Sequence, residues 1–177
     1  MINPIPEGMS MEERFGELVL SRKWFSKKVV LMLVFAIFWD GFLFSFYKMI
    51  LSGDAVPVGA VLFPLLHVAV GAGITYSAIA GLVNKTTITV GADQMTIRHA
   101  PLPWMGNRTL YRSDFVQLYV EEVRRKNNVS YRLNAVMANQ KKLKLLSGID
   151  DRSQAIFVEK EIEKFMGIQD ERVSGEV

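Results

Sequence analysis

The chain contains no cysteine among its 177 residues. That excludes a disulfide framework, a thiol nucleophile and a thiolate metal site. Two histidines, His67 and His99, are too few for a histidine-rich metal site. There is no glycine-rich phosphate loop, paired metal-ligand motif or nucleophile elbow. The sequence therefore predicts no enzyme, no cofactor and no catalytic residue. Internal repeats and low-complexity tracts are missing too. The net charge of +3 divides as +1 over residues 1–28, −1 over 29–83 and +3 over 84–177. None of these segments is basic enough to suggest nucleic-acid binding. Charge is scarcest from residue 29 to 83, where Asp40, Lys48 and Asp54 are the only formal charges.

What fills that window is apolar. A helix needs about 20 mostly apolar residues to cross a bilayer. Residues 29–51 supply 23, and residues 57–83 supply 27 without a formal charge. Asp40 sits inside the first run, in "FAIFWDGFLFSF". An aspartate at a helix centre costs about 2.5–3.5 kcal/mol on insertion. The 14 Leu, Ile, Phe and Val residues of the same run each contribute about −0.3 to −0.6 kcal/mol at best. The span is therefore expected to insert despite Asp40, with Lys48 snorkelling beside Tyr47. Five basic residues precede the first span and fifteen follow the second, while the connection "SGDAV" has none. This bias predicts both termini in the cytoplasm and the loop around Asp54 outside.

Residues 10–25 read as a short amphipathic helix lying in the membrane interface. Ser10 and Glu13 form a capping box, and Phe15, Leu18 and Val19 share one side. The expected division is thus an N-terminal interfacial amphipathic segment (1–28), a two-helix transmembrane hairpin (29–83) and a cytoplasmic domain (84–177).

Asp40 and His67 lie at similar depth in such a hairpin, so His67 is the expected partner of the buried carboxylate. An ionisable residue within a span is a functional hypothesis by default. Two roles are open for the pair, a hydrogen-bonded lock or a proton or ion relay. In the second span, Ala69, Gly73, Ser77 and Gly81 recur every four residues and form a face suited to close helix packing. His67, Gly71 and Thr75 form a second face. A hairpin needs only one, so the other suggests another subunit or a homo-oligomer. Pro64 is expected to loosen the backbone one turn back.

After Asn84 the pattern becomes alternating. Residues 86–90, 94–98, 108–111, 114–125, 129–137 and 142–146 give six antiparallel strands, with "KNN" and "NQ" as turns. A capped amphipathic helix closes the chain. Asp151 and Gln154 start it, and Ala155, Val158, Ile162, Phe165 and Met166 make its apolar face. Glu159, Glu161 and Glu163 fall on its wet side, and Gly167 ends it. The loop "HAPLPWMG" places Trp104 between Pro103 and Met105. Pro101, Pro103 and Trp104 are a candidate docking loop, or Trp104 covers one end of its own barrel. Basic clusters at 124–126 and 141–144 flank successive turns of a meander. They belong to opposite ends of the sheet, which weakens a lipid-binding reading of these residues.

The two-span hairpin followed by "NKTTITV", "PLPWMG", "QLYVEE" and "QAIFVEKEIEKFMGIQDERVSGE" resembles a family of uncharacterised bacterial two-span membrane proteins. Their cytoplasmic part is similar to a pleckstrin-homology (PH)-like domain. The resemblance implies a membrane α+β protein of the bacterial inner membrane: a transmembrane helical hairpin, then a small antiparallel PH-like β-roll or barrel with a C-terminal amphipathic helix. The six strands read here depart from the seven of a standard PH domain. The expected role is a membrane-anchored interaction module, an accessory or scaffolding subunit whose partners are the lipid bilayer and other membrane subunits or its own copies. The alternatives are an anionic-lipid-sensing module and a relay using Asp40 and His67.

Overall fold

A computed structural model describes residues 4–53, 58–126, 128–169 and 173. The loop around Asp54 lies outside the described residues. The chain forms two compact units, one from Met1–Lys23 with Lys85–Val177 and the other from Trp24–Asn84.

The second unit is helical. Helix α1 runs from Lys27 to Leu51, a short α2 from Val58 to Leu62, and α3 from Leu65 to Val83. The segments Lys27–Leu51 and Val58–Val83 are each long and apolar enough to cross a membrane. Pro64 caps α3, and the break falls at Phe63 and Pro64, closer to the proline than the turn expected to loosen. The seam between the helices is narrow. Val29, Ala36 and Leu43 are buried on α1 at seven-residue spacing, and Gly71, Ala78, Ala80 and Gly81 are buried on α3. Large side chains point away from it. Phe38, Phe44 and Leu66 are each 72% exposed.

The first unit is a β-domain whose strands are all antiparallel. Strands β1 (Met9–Arg14), β2 (Glu17–Lys23), β3 (Lys85–Val90), β4 (Gln94–Ala100) and β5 (Arg108–Tyr111) form one sheet in that order. Strands β6 (Phe115–Arg125), β7 (Asn128–Met137) and β8 (Lys142–Ile149) form the other. One core joins both sheets to helix α4 (Arg152–Met166). Leu18, Leu20, Ile88 and Ile97 meet Phe115, Leu118, Leu133 and Ile149 there, with Ala155, Val158 and Ile162 from α4.

The six strands read from residue 86 onward are all present. The interfacial helix expected over 10–25 is not. Those residues form β1 and β2, joined by a two-residue turn in which Phe15 (φ 52°) and Gly16 (φ 76°) both adopt the left-handed conformation. Such turns match the twist of paired strands. Leu18 and Leu20 alternate with Val19 and Ser21, so burial follows a period of two. The domain boundaries shift accordingly. The β-domain is not 84–177 alone, and residues 1–28 are not a separate segment. The hairpin is inserted between two paired strands, Lys23 being the register partner of Lys85.

Helix α4 also departs from expectation. Asp151 caps it by accepting from the Ser153 N–H at 2.8 Å, and Gly167 ends it at φ 61°. Phe157, unassigned in the sequence reading, is buried. Glu159 and Glu163 are not on a wet side; they are 5% and 4% exposed. The Leu118 N–H donates to Glu163 Oε1 and the Val120 N–H to Glu159 Oε1, both at 3.1 Å. Strand β6 is the edge of its sheet, so alternate N–H groups point outward without a strand partner. Carboxylates four residues apart on a helix rise by about 6 Å. Alternate strand N–H groups repeat at about 6.8 Å. The two periods match closely enough for α4 to close that edge.

Candidate functional site

The first candidate is the polar centre of the hairpin. Thr75 Oγ1 donates to Asp40 Oδ2 at 2.6 Å. Gly71 makes room for this carboxylate. A Cβ there would lie 2.6 Å from Asp40 Oδ1 and 3.0 Å from Trp39 Cδ1. The indole of Trp39 donates through Nε1 to the His67 carbonyl at 3.2 Å and stacks on the His67 ring, with centroids 6.0 Å apart. His67 Nδ1 is buried and has no hydrogen-bond partner among the described residues.

The expected pairing of Asp40 with His67 is therefore replaced by Asp40 with Thr75. Equal counting from the loop assumed two continuous helices. The break at Phe63 and Pro64 uses residues without extending α3. Asp40 consequently meets Gly71, one turn further along. The face containing His67, Gly71 and Thr75 is nevertheless the one turned to α1.

The stripe of Ala69, Gly73, Ser77 and Gly81 does not act as one face of the hairpin. Gly81 is buried, and a Cβ there would lie 2.6 Å from Val29 Cγ2. Ala69 and Gly73 are exposed, and a Cβ at Gly73 would meet nothing within 4 Å. Ser77 donates to the Gly73 carbonyl at 2.7 Å.

The second candidate is one end of the five-stranded sheet. The three rows of residues nearest the hairpin insertion are Lys23–Lys85–Ala100, Arg22–Thr86–His99 and Ser21–Thr87–Arg98. They carry four cations and no carboxylate. Arg108 follows in the next row, opposite Ile97. Its Nη1 donates to the Lys144 carbonyl at 2.9 Å. Thr86 Oγ1 and His99 Nδ1 are 3.0 Å apart, and the His99 N–H donates to Asn107 Oδ1 at 2.7 Å. Burial, then Arg22 and Arg108, hold the His99 imidazole below its ordinary pKa. Burial lowers Arg22 as well, with Asp150 the neighbouring acid that opposes this.

The loop between β4 and β5 starts at this end. It holds Pro101, Pro103 and Trp104, with Trp104 half-buried and Met105 89% exposed. The other basic clusters are separate. The register places Arg125 opposite Asn128 and Val136 opposite Lys142, so the two turns lie at opposite ends of the smaller sheet. Arg124 is held by Glu122, whose carboxyl the ion pair keeps below its usual range. The Lys142 ammonium lies 5.0 Å from the centroid of the Tyr119 ring. No family model and no curated protein matches the chain.

Proposed function

We propose that the chain is an integral protein of the bacterial inner membrane that carries a PH-like domain on a two-helix anchor. In this reading it serves as an interaction module, an accessory or scaffolding subunit of a larger membrane complex. Two apolar helices with large outward side chains support the anchor. The pairing of β2 with β3 supports an even number of crossings, because strands that flank the hairpin must meet on one side of the bilayer. Basic residues before α1 and after α3 favour the cytoplasmic side. The PH-like assignment draws support from the strand count. Strands β2 to β5 and β6 to β8, followed by α4, make four plus three strands and a C-terminal helix. The strand missing from residues 84–177 is β2, and β1 is an addition.

The observation that carries the interaction role is the open surface at Gly73. In lipid, small residues favour association by letting backbones approach closely. Gly71 and Gly81 already serve that purpose within the hairpin, whereas Gly73 does not. The remaining face of α3 is suited to a helix from another subunit or another copy. A photoreactive residue at position 73, irradiated in native membranes, is expected to yield a defined protein adduct. The same residue at Phe38 is expected to yield lipid adducts. Lipid adducts alone at both positions would overturn the role. A protein adduct of twice the chain mass identifies a homo-oligomer.

A further inference from the structure

The five-stranded sheet has a second end, at the far ends of its strands from the hairpin insertion. Its last buried row is Leu18–Val90–Met95–Leu110. Beyond that row lie the Phe15–Gly16 turn, the turn at 91–93 and the short helix Arg112–Asp114. Phe15 is fully exposed at the tip of the first turn, and its φ is 52°. Bulky residues rarely adopt that conformation, and a two-residue turn of this kind favours Asn at the same position. The phenyl ring therefore neither packs in its own fold nor suits its own backbone. Tyr111, at the same end on β5, is 58% exposed. Neighbouring strands lie about 4.8 Å apart, so the two rings sit about 15–20 Å from one another across the sheet.

Around these rings are Glu12, Glu13, Glu17, Asp93 and Asp114, against Arg14 and Arg112. Both arginines are engaged within this end. Arg14 pairs with Glu12 at 2.6 Å, and Arg112 donates to the Phe115 carbonyl at 3.1 Å. The unbalanced charge is negative, which disfavours anionic lipid and nucleic acid as occupants. Charge complementarity favours a polypeptide surface that bears Lys or Arg. An aromatic side chain seated in a partner's pocket is the kind of residue that dominates such contacts.

We propose that this end of the β-domain docks a cationic protein partner, with Phe15 as the anchor in an apolar pocket and Glu13, Glu17 and Asp93 as the rim that meets its Lys or Arg side chains. Tyr111 supplies a second aromatic contact. The surface lies wholly within the β-domain and is separate from the open face at Gly73. It does not depend on whether the hairpin spans a bilayer.

The test uses the full chain in its native cells, with a photoreactive phenylalanine analogue in place of Phe15. Irradiation is expected to yield a discrete protein adduct. Mass spectrometry of the joined peptides is expected to place its far end at an apolar residue flanked by Lys or Arg. The analogue at Val129, exposed on the smaller sheet, is expected to give no such adduct. The Glu13→Gln, Glu17→Gln, Asp93→Asn triple variant should lower the yield from position 15, and so should high salt, which screens exposed charges. A second probe at Tyr111 reads the anchor. Phe15→Asn should reduce its adduct by roughly tenfold or more, while the thermal midpoint holds or rises, because Asn suits the turn. No adduct, lipid adducts alone, or an adduct joining two copies of this chain overturns the proposal. A protein adduct that ignores the triple variant and salt overturns the cationic character of the partner. An undiminished adduct from 111 in Phe15→Asn overturns the anchor. A midpoint that falls in that variant overturns it too, since Phe15 then serves its own fold.

Discussion

At the scale of single residues, the hairpin turns on which group satisfies Asp40. The hydrogen bond from Thr75 predicts coupling between Asp40→Leu and Thr75→Val. Interhelical polar contacts in membranes average about 0.6 kcal/mol and reach about 1.7 kcal/mol, which sets the expected interaction energy. Unfolding of both single variants and the double variant in bilayer or detergent measures it. Asp40→Leu and His67→Leu are expected to add. Glycine gives a second contrast. Gly71→Ala forces a Cβ against Asp40 and Trp39 and should weaken the hairpin, whereas Gly73→Ala enters open space and should leave its stability unchanged. The sequence made the relevant face legible, since His67, Gly71 and Thr75 share it. The partner along that face depended on where Pro64 ended one helix and began another, which spacing alone could not fix. In the β-domain, Glu163→Ala leaves the buried Leu118 N–H without this acceptor. An unsatisfied buried donor costs about 1–3 kcal/mol, to be read from chemical denaturation. His99 adds a pH dependence. Its folded pKa is depressed, so the unfolded chain binds its proton more readily. The contribution is present above the unfolded value of about 6.5 and fades as pH falls through that value toward the folded one. Thermal midpoints measured from neutral to mildly acidic pH should decline, and His99→Gln should flatten that part of the decline.

At the scale of elements, the strands after residue 84 were legible because each alternates and ends in turn-forming residues. Residues 10–25 were misread for a specific reason. Ser10 with Glu13, and Phe15 with Leu18 and Val19, satisfy helical spacing, while Leu18 and Leu20 also satisfy strand spacing. Pairing with β3 decides between them, and β3 lies beyond the whole hairpin. The same pairing changes what an independent domain requires. A fragment of residues 85–177 lacks Leu18 and Leu20, which are each 1% exposed in the core. It is expected to aggregate or show no cooperative transition. Joining residues 4–23 to 85–177 through a two-residue Asn-Gly turn restores the strand, because Lys23 and Lys85 are register partners. That fusion should melt cooperatively, as monitored by circular dichroism. Equal cooperativity of the short fragment would show that β2 is dispensable.

For the whole molecule, the decisive feature is the position of the hairpin within the β-domain's sequence. During translation, β2 is complete long before β3 exists. At about 5–20 residues per second, the interval across residues 24–84 is about 3–12 s. Throughout it, the strand bearing Leu18 and Leu20 has β1 beside it but waits for β3 while the apolar helices emerge. The sheet is a non-local structure that closes only after both apolar helices have been made. Assembly therefore has a fixed order, and residues 17–23 must end on the same side as residues 85–90. In the membrane reading, loss of one of the two crossings would strand β1 and β2 across the bilayer from β3. A single helix could still insert, yet the β-domain could never be assembled from its own chain.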